Sequence, residues 1–204
     1  MLRLDADVPA ELAPLSWLLG VWEGSGVVSY DVSVGAADDV RGGEFGQRVS
    51  FSHDGLPYLN YSSYAWREGD DGAQEPLMVE TGYWRLSRNA TAADPGPGML
   101  AGEGAPSFET ASDVESLRNA AGAFDIEVLL VHPGGVSELY LGQVDGPRID
   151  VATDAVMRSG TAKEHTASTR MYGLVDSHLL WAWDLAALGH DLRSHASARL
   201  ARVD

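Results

Sequence analysis

After a short opening segment, the chain alternates apolar and polar residues with the period of two that half-buried strands require. Val27, Val28 and Tyr30 follow the glycine-rich run Gly20–Gly26. Next come Phe45–His53, Tyr58–Arg67 and Leu77–Arg88, each rich in Tyr, Trp, Phe, Val and Ser. Phe124–His132 and Val136–Val144 flank Pro133-Gly134-Gly135, and Ile149–Thr153 follows Asp145-Gly146-Pro147. Ala162–Leu174, Leu179–Leu188 and Leu192–Val203 complete the series. Asp54-Gly55 is a type I′ hairpin signal, and Val175–Ser177 and Gly189-His190-Asp191 mark further turns. The opening segment differs: in Pro9–Leu19, Leu12, Leu15, Leu18 and Leu19 recur near helical spacing behind a proline and predict a short helical turn. About ten strands joined by short turns predict an all-β, antiparallel up-and-down barrel, closed to remove its edges and wide enough for one small ligand. Residues 1–204 read as a single domain. Asn89–Gly122, rich in Ala, Gly, Pro and acids, reads as a flexible insertion, and Gly35–Gly43 as a shorter irregular stretch.

Composition narrows the functional classes. The chain has 204 residues, 45% of them apolar, enough to bury a sizeable core. With 14 basic and 30 acidic residues its formal charge is −16, which repels phosphate backbones and anionic lipid surfaces; nucleic acid and membrane are excluded as partners. The absence of cysteine removes thiolate nucleophiles, disulfides, iron–sulfur clusters and Cys-type zinc sites. The apolar stretch Leu12–Trp22 is short and broken by Pro14, Ser16 and Gly20, so the expectation is a cytoplasmic protein.

No nucleophile elbow, phosphate loop, dinucleotide fingerprint or HExxH pair is present. What stands out is Gly20-Val21-Trp22-Glu23-Gly24-Ser25-Gly26, a GxWxGxG pattern. Its alternating Gly20, Gly24 and Gly26 strip side chains from the strand face so that another strand or a flat ligand can approach, and Trp22 supplies a plug for a barrel end. A purely architectural role suits the same residues. Of the histidines, His53, His132, His178 and His190 fall in or beside turns and read as solvated. His165, beside Lys163 and Glu164, is placed mid-strand. His195 stands among small residues in Ser194-His195-Ala196-Ser197-Ala198, which leave room for something bulky beside the imidazole. A lone histidine cannot build a zinc site, but it can be the proximal ligand of a heme, whose porphyrin supplies the other nitrogens. Strict alternation sets His195 on the outer face with Arg193, Ser197 and Arg199; a bulge or a place at the barrel mouth is required to aim it inward.

Together these pieces resemble the nitrobindin family of heme-carrying β-barrels. The likeness is carried by Pro14-Leu15-Ser16-Trp17-Leu18-Leu19-Gly20 running into GxWxGxG, Val49–Gly55 with Pro57, and Glu80-Thr81-Gly82-Tyr83-Trp84-Arg85. His132-Pro133-Gly134-Gly135, Thr161-Ala162-Lys163-Glu164 and His195–Leu200 continue it in family order. The segment Val27–Asp31 lacks the family's proline turn, and Ala196 replaces the usual leucine. The resemblance implies one heme b at the barrel mouth, with His195 as axial iron ligand and Lys163 as a contact for a propionate. It further implies isomerisation of peroxynitrite to nitrate on ferric heme, binding of nitric oxide, and room for a homodimer. Two rival readings remain at this point: a non-enzymatic carrier of a small apolar ligand, favoured if His195 turns outward, and an interaction module built on the acidic segment 89–122.

Overall fold

The computed structural model describes residues 8–34 and 37–203, and side chains outside 30–41. Ten antiparallel strands follow one another around a closed barrel: β1 (Gly20–Val34), β2 (Ala37–Ser52), β3 (Leu59–Glu68), β4 (Gln74–Leu86), β5 (Phe124–His132), β6 (Val136–Asp145), β7 (Arg148–Arg158), β8 (His165–Val175), β9 (His178–Ala187) and β10 (Arg193–Val203). Each strand pairs with its chain neighbour, and β10 closes on β1 from Val21↔Val203 to Val28↔Ala196. The expected meander is therefore the observed one. The irregularity expected at Gly35–Gly43 is not seen in residues 37–43, which extend β2 and pair with β1 up to Val34↔Ala37. Ladder hydrogen bonds in a two-stranded ribbon override the weak strand propensity of Asp and Gly there.

Odd-numbered strands all end at one rim and even-numbered strands all begin there, so the barrel has two distinct ends. The far end is closed by a 3-10 turn over Ala10–Leu18, which inserts Leu12, Leu15 and Leu18 into the core. Its expected helical spacing is relaxed because Pro14 lies inside it and removes a backbone donor. Trp22 is buried against this plug and donates from Nε1 to the Leu18 carbonyl at 2.7 Å. Arg202 stacks on the Trp22 ring at 4.4 Å and donates to the Trp17 carbonyl at 3.0 Å, tying the last strand to the first.

The glycines of the GxWxGxG pattern serve that seam. A Cβ on Gly24 would lie 2.3 Å from the Arg199 carbonyl oxygen, and one on Gly26 would lie 2.3 Å from that of Ser197 and 2.5 Å from Phe45. Only glycine lets β10 and the interior approach β1 so closely.

Segment 89–122 leaves and re-enters the barrel at the closed end. It carries a short helix α1 (Ala111–Val114), capped by the Thr110 hydroxyl, and a 3-10 turn over Glu115–Leu117. Val114 is buried, and Phe108 and Leu117 pack on the core. Arg88 bridges Glu11 of the plug to Asp94 of the segment, the latter at 2.7 Å. Truncating Leu15 to Ala should lower unfolding stability by about 2–5 kcal/mol, the usual cost of a buried cavity. Denaturant titration reads this, and the cavity at the opposite rim should be untouched.

Candidate functional site

The open rim leads into a cavity of about 250 Å³ lined by Val28, Phe45, Gln47, Ala65, Leu77, Met78, Trp181, Trp183, His195 and Ala196. A larger groove of about 740 Å³, which includes Val27, Met171 and Val175, lies on the outer face of β1, β10, β9 and β8 and holds no histidine. The inner cavity is the chemically furnished one.

His195 reaches it through a bulge. The β10–β9 register runs Ser194↔Asp184 and then Ala196↔Trp183, leaving His195 as the extra residue. Beyond it Ala196, Ala198 and Leu200 point into the core. Strict alternation fails at this one position, and the added residue turns the imidazole from the solvent side into the cavity. There it meets the Trp183 ring edge-on, with centroids 5.1 Å apart and planes at 88°. Burial pushes the imidazole pKa down, and the positive Arg170 and Arg193 act the same way; a hydrogen bond to the Ser29 backbone opposes them. The net shift favours the neutral ring, the form that offers a lone pair to a metal. A backbone carbonyl holding the other ring nitrogen is the usual support of a metal-binding histidine.

Beneath the cavity lies a buried polar cluster that sequence reasoning missed. Arg170 of β8, 4% exposed, grips Glu80 of β4 with both guanidinium nitrogens, at 2.7 and 2.8 Å. Tyr61 donates to Glu80 at 2.6 Å. Glu138 of β6 accepts from the Tyr140 hydroxyl and from Ser168, each at 2.7 Å, and lies 3.8 Å from Arg170. His132 and His165 flank Glu138 at 2.7 and 3.0 Å. His132, expected to be solvated beside its turn, is instead largely buried against Glu138. His165 is not mid-strand: β8 begins with it, and a register shift before Ala167 turns it inward.

Lys163 lies in the exposed β7–β8 connection at the open rim, not in a strand, and does not line the cavity. Gly20 and Trp22 belong to the closed end. No residue of the motif lines the cavity; Val28, two positions beyond Gly26, does.

The residues present fit a heme. The walls are apolar and aromatic, one imidazole projects inward with a ring nitrogen hydrogen-bonded to the Ser29 backbone, and the rim is open for charged groups. Among the described residues, no group of three or more His, Asp or Glu side chains is arranged to hold a metal ion. Residues 11–202 match the model of the THAP4-like, heme-binding beta-barrel domain.

The chain belongs to that family.

A protein of Clavibacter michiganensis subsp. michiganensis named peroxynitrite isomerase is 64% identical over 204 residues, covering 100% of both chains. One of the same name from Leifsonia xyli subsp. xyli is 60% identical, again over 100% of both. The crystal structure of Rv2717c from M. tuberculosis superposes with a TM-score of 0.66 at 26% identity, covering 99% of this heme-binding barrel and 100% of that chain.

The buried cluster carries a pH signature. Burial alone would raise the Glu80 and Glu138 carboxyls. For Glu80 the guanidinium of Arg170 outweighs it, and for Glu138 the hydrogen bonds of His132 and His165 do, so both are held below the ordinary carboxylate value. The unfolded carboxyls titrate near about 4.3, so the unfolded state takes up protons first. The stability the cluster contributes is complete above that pH and is lost as pH falls through the lowered folded values. Denaturant titrations between about pH 7 and pH 3 should show this loss. Glu138→Gln should flatten the acid slope while lowering stability at neutral pH by about 3–5 kcal/mol, the cost of breaking a buried charged cluster.

Proposed function

We propose that this chain is a heme-b peroxynitrite isomerase in which His195 is the axial iron ligand. The observation that carries the reading is the β10 bulge, which aims a single neutral imidazole into an apolar cavity at the open rim. The relatives at 60–64% identity, named for that activity over their whole length, support it. When bound, ferric heme supplies the Lewis-acidic, redox-active centre on which the peroxo bond is rearranged to nitrate.

The protein's own part is to hold, orient and shield. His195 would provide the nitrogen that holds the iron, with the Ser29 backbone hydrogen-bonded to its ring. Val28, Phe45, Ala65, Leu77 and Met78 supply an apolar wall. Gln47 closes the floor: its Oε1 accepts from Trp181 Nε1 and its Nε2 donates to Ser63, both at 2.8 Å. With its carbonyl and one amide hydrogen so engaged, Gln47 would not compete with His195 for the iron. Isomerisation of the anion needs no net proton, which suits a pocket without an acid–base pair in its lining.

Nitric oxide binding belongs to the same reading, since a heme held by the single imidazole of His195 would supply an iron able to take a diatomic ligand. Lys163 is the proposed rim cation for a propionate carboxylate. We also propose that the protein works in the cytoplasm as a homodimer. Adjacent exposed apolar side chains on the outer wall of β4 and β5, Tyr83, Leu129 and Val131, support pairing with a second copy.

Reconstitution with ferric heme should give a stoichiometric Soret band and accelerated peroxynitrite decay. His195→Ala should lose both, whereas a band of equal intensity in the variant would refute the assignment. An exposed ion pair is worth about 0–1 kcal/mol, so Lys163→Ala should weaken heme affinity by no more than about fivefold. Sedimentation equilibrium should return twice the chain mass of 21.8 kDa; a monomer would refute the pairing.

A further inference from the structure

We infer that Trp183 is a positioning residue that sets the plane of the His195 imidazole, and that it is itself held by the buried Arg170–Glu80 pair. The inference rests on the heme reading of His195 and adds to it the device that orients the ligand.

Three neighbouring strands place the parts at one level of the barrel. Arg170 on β8 is directly opposite Trp183 on β9, and Trp183 is opposite Ala196, the residue after the bulged His195 on β10. The guanidinium carbon of Arg170 lies 4.3 Å from the Trp183 ring centroid. On the other side of the chain of contacts, His195 meets the same ring at 5.1 Å and 88°. Arg170 cannot drift, because Glu80 holds both its terminal nitrogens and the Tyr140 hydroxyl accepts from its Nε at 3.1 Å. A continuous path therefore runs from Glu80 through Arg170 and Trp183 to His195.

The imidazole needs this help. A residue in a bulge lacks the flanking ladder bonds that stiffen a regular strand. Its hydrogen bond to the Ser29 backbone holds one ring nitrogen. The perpendicular contact with Trp183 adds a packing constraint on the plane of the ring. The choice of tryptophan points the same way. Its Nε1 is buried without a hydrogen-bond partner, an energetic cost that phenylalanine would avoid. What indole adds is the strongest aromatic face for a cation, here Arg170.

The test compares the parent, Trp183→Phe, Trp183→Leu and His195→Ala, each reconstituted with ferric heme. Two readouts apart from turnover are used: the rate of heme transfer to an excess of apomyoglobin, and the electron paramagnetic resonance of the ferric state. Loss of support for a metal ligand typically costs about 10–100-fold in metal affinity. Trp183→Leu should therefore release heme at least about tenfold faster and give a heterogeneous ferric signal, with Trp183→Phe falling between it and the parent. Unchanged release and a single parent-like signal in Trp183→Leu, even with lowered apoprotein stability, would overturn the inference by showing that Trp183 only fills space. Should Trp183→Leu not fold, the parent apoprotein decides. The His195 ring protons should carry an indole ring-current shift that Trp183→Phe reduces, and its absence would overturn the inference. Retention of heme by His195→Ala would instead overturn the ligand assignment, so the two failures are distinguishable.

Discussion

A guanidinium inside a β-barrel must be neutralised where it sits, and the interior of this protein is organised around that demand. Arg170 is buried among strands that otherwise send Trp, Tyr, Leu and Val inward. Leaving it unpaired there would cost several kcal/mol. Glu80 answers it from the facing wall, and Tyr61, Tyr140 and Glu138 complete the shell. Because these groups come from β3, β4, β6 and β8, the pairing ties opposite sides of the barrel together. It fixes their relative height as hydrophobic contact alone would not, since apolar packing is indifferent to direction.

That polar belt divides the barrel into two compartments with different tasks. Toward the closed end the core is dry and tightly filled: Trp84 packs against Phe51, Tyr61 and Tyr172 with centroids 5.0–5.8 Å apart, and the Leu12, Leu15 and Leu18 plug seals it. Toward the open end the side chains become smaller at Ala65, Ala196 and Ala198, and space appears for a prosthetic group. Stability and function are thus built at opposite ends, and segment 89–122 is attached to the stable end. Its acidic composition does not approach the cavity.

The cofactor site itself asks little of the protein in number of groups and much in direction. A porphyrin brings four of its iron ligands with it, so one imidazole is enough, provided it points inward in the neutral form. Both conditions are met by local departures from regular structure: a bulge supplies the direction, and burial beside cationic neighbours supplies the protonation state.

Strand count, hairpin turns and the helical turn at the start were legible in the sequence, because each depends on residues within a few positions of one another: period-two alternation, Asp54-Gly55, Pro133-Gly134-Gly135, the leucines of Pro9–Leu19; barrel closure followed from the need to remove sheet edges. The close approach at Gly24 and Gly26 was legible for the same reason. The charged core was partly so in hindsight, for Glu80, Glu138 and Arg170 all occupy positions where alternation calls for an inward apolar side chain; among 30 acids, the alternation phase was the signal that singled out these two. What only the tertiary structure decided is which way His195 faces and what Arg170 meets. The first depends on a ladder slipping by one residue between β10 and β9, which no local pattern records. The second depends on two side chains 90 positions apart reaching each other across a closed barrel, a contact that exists only once the sheet has curled shut.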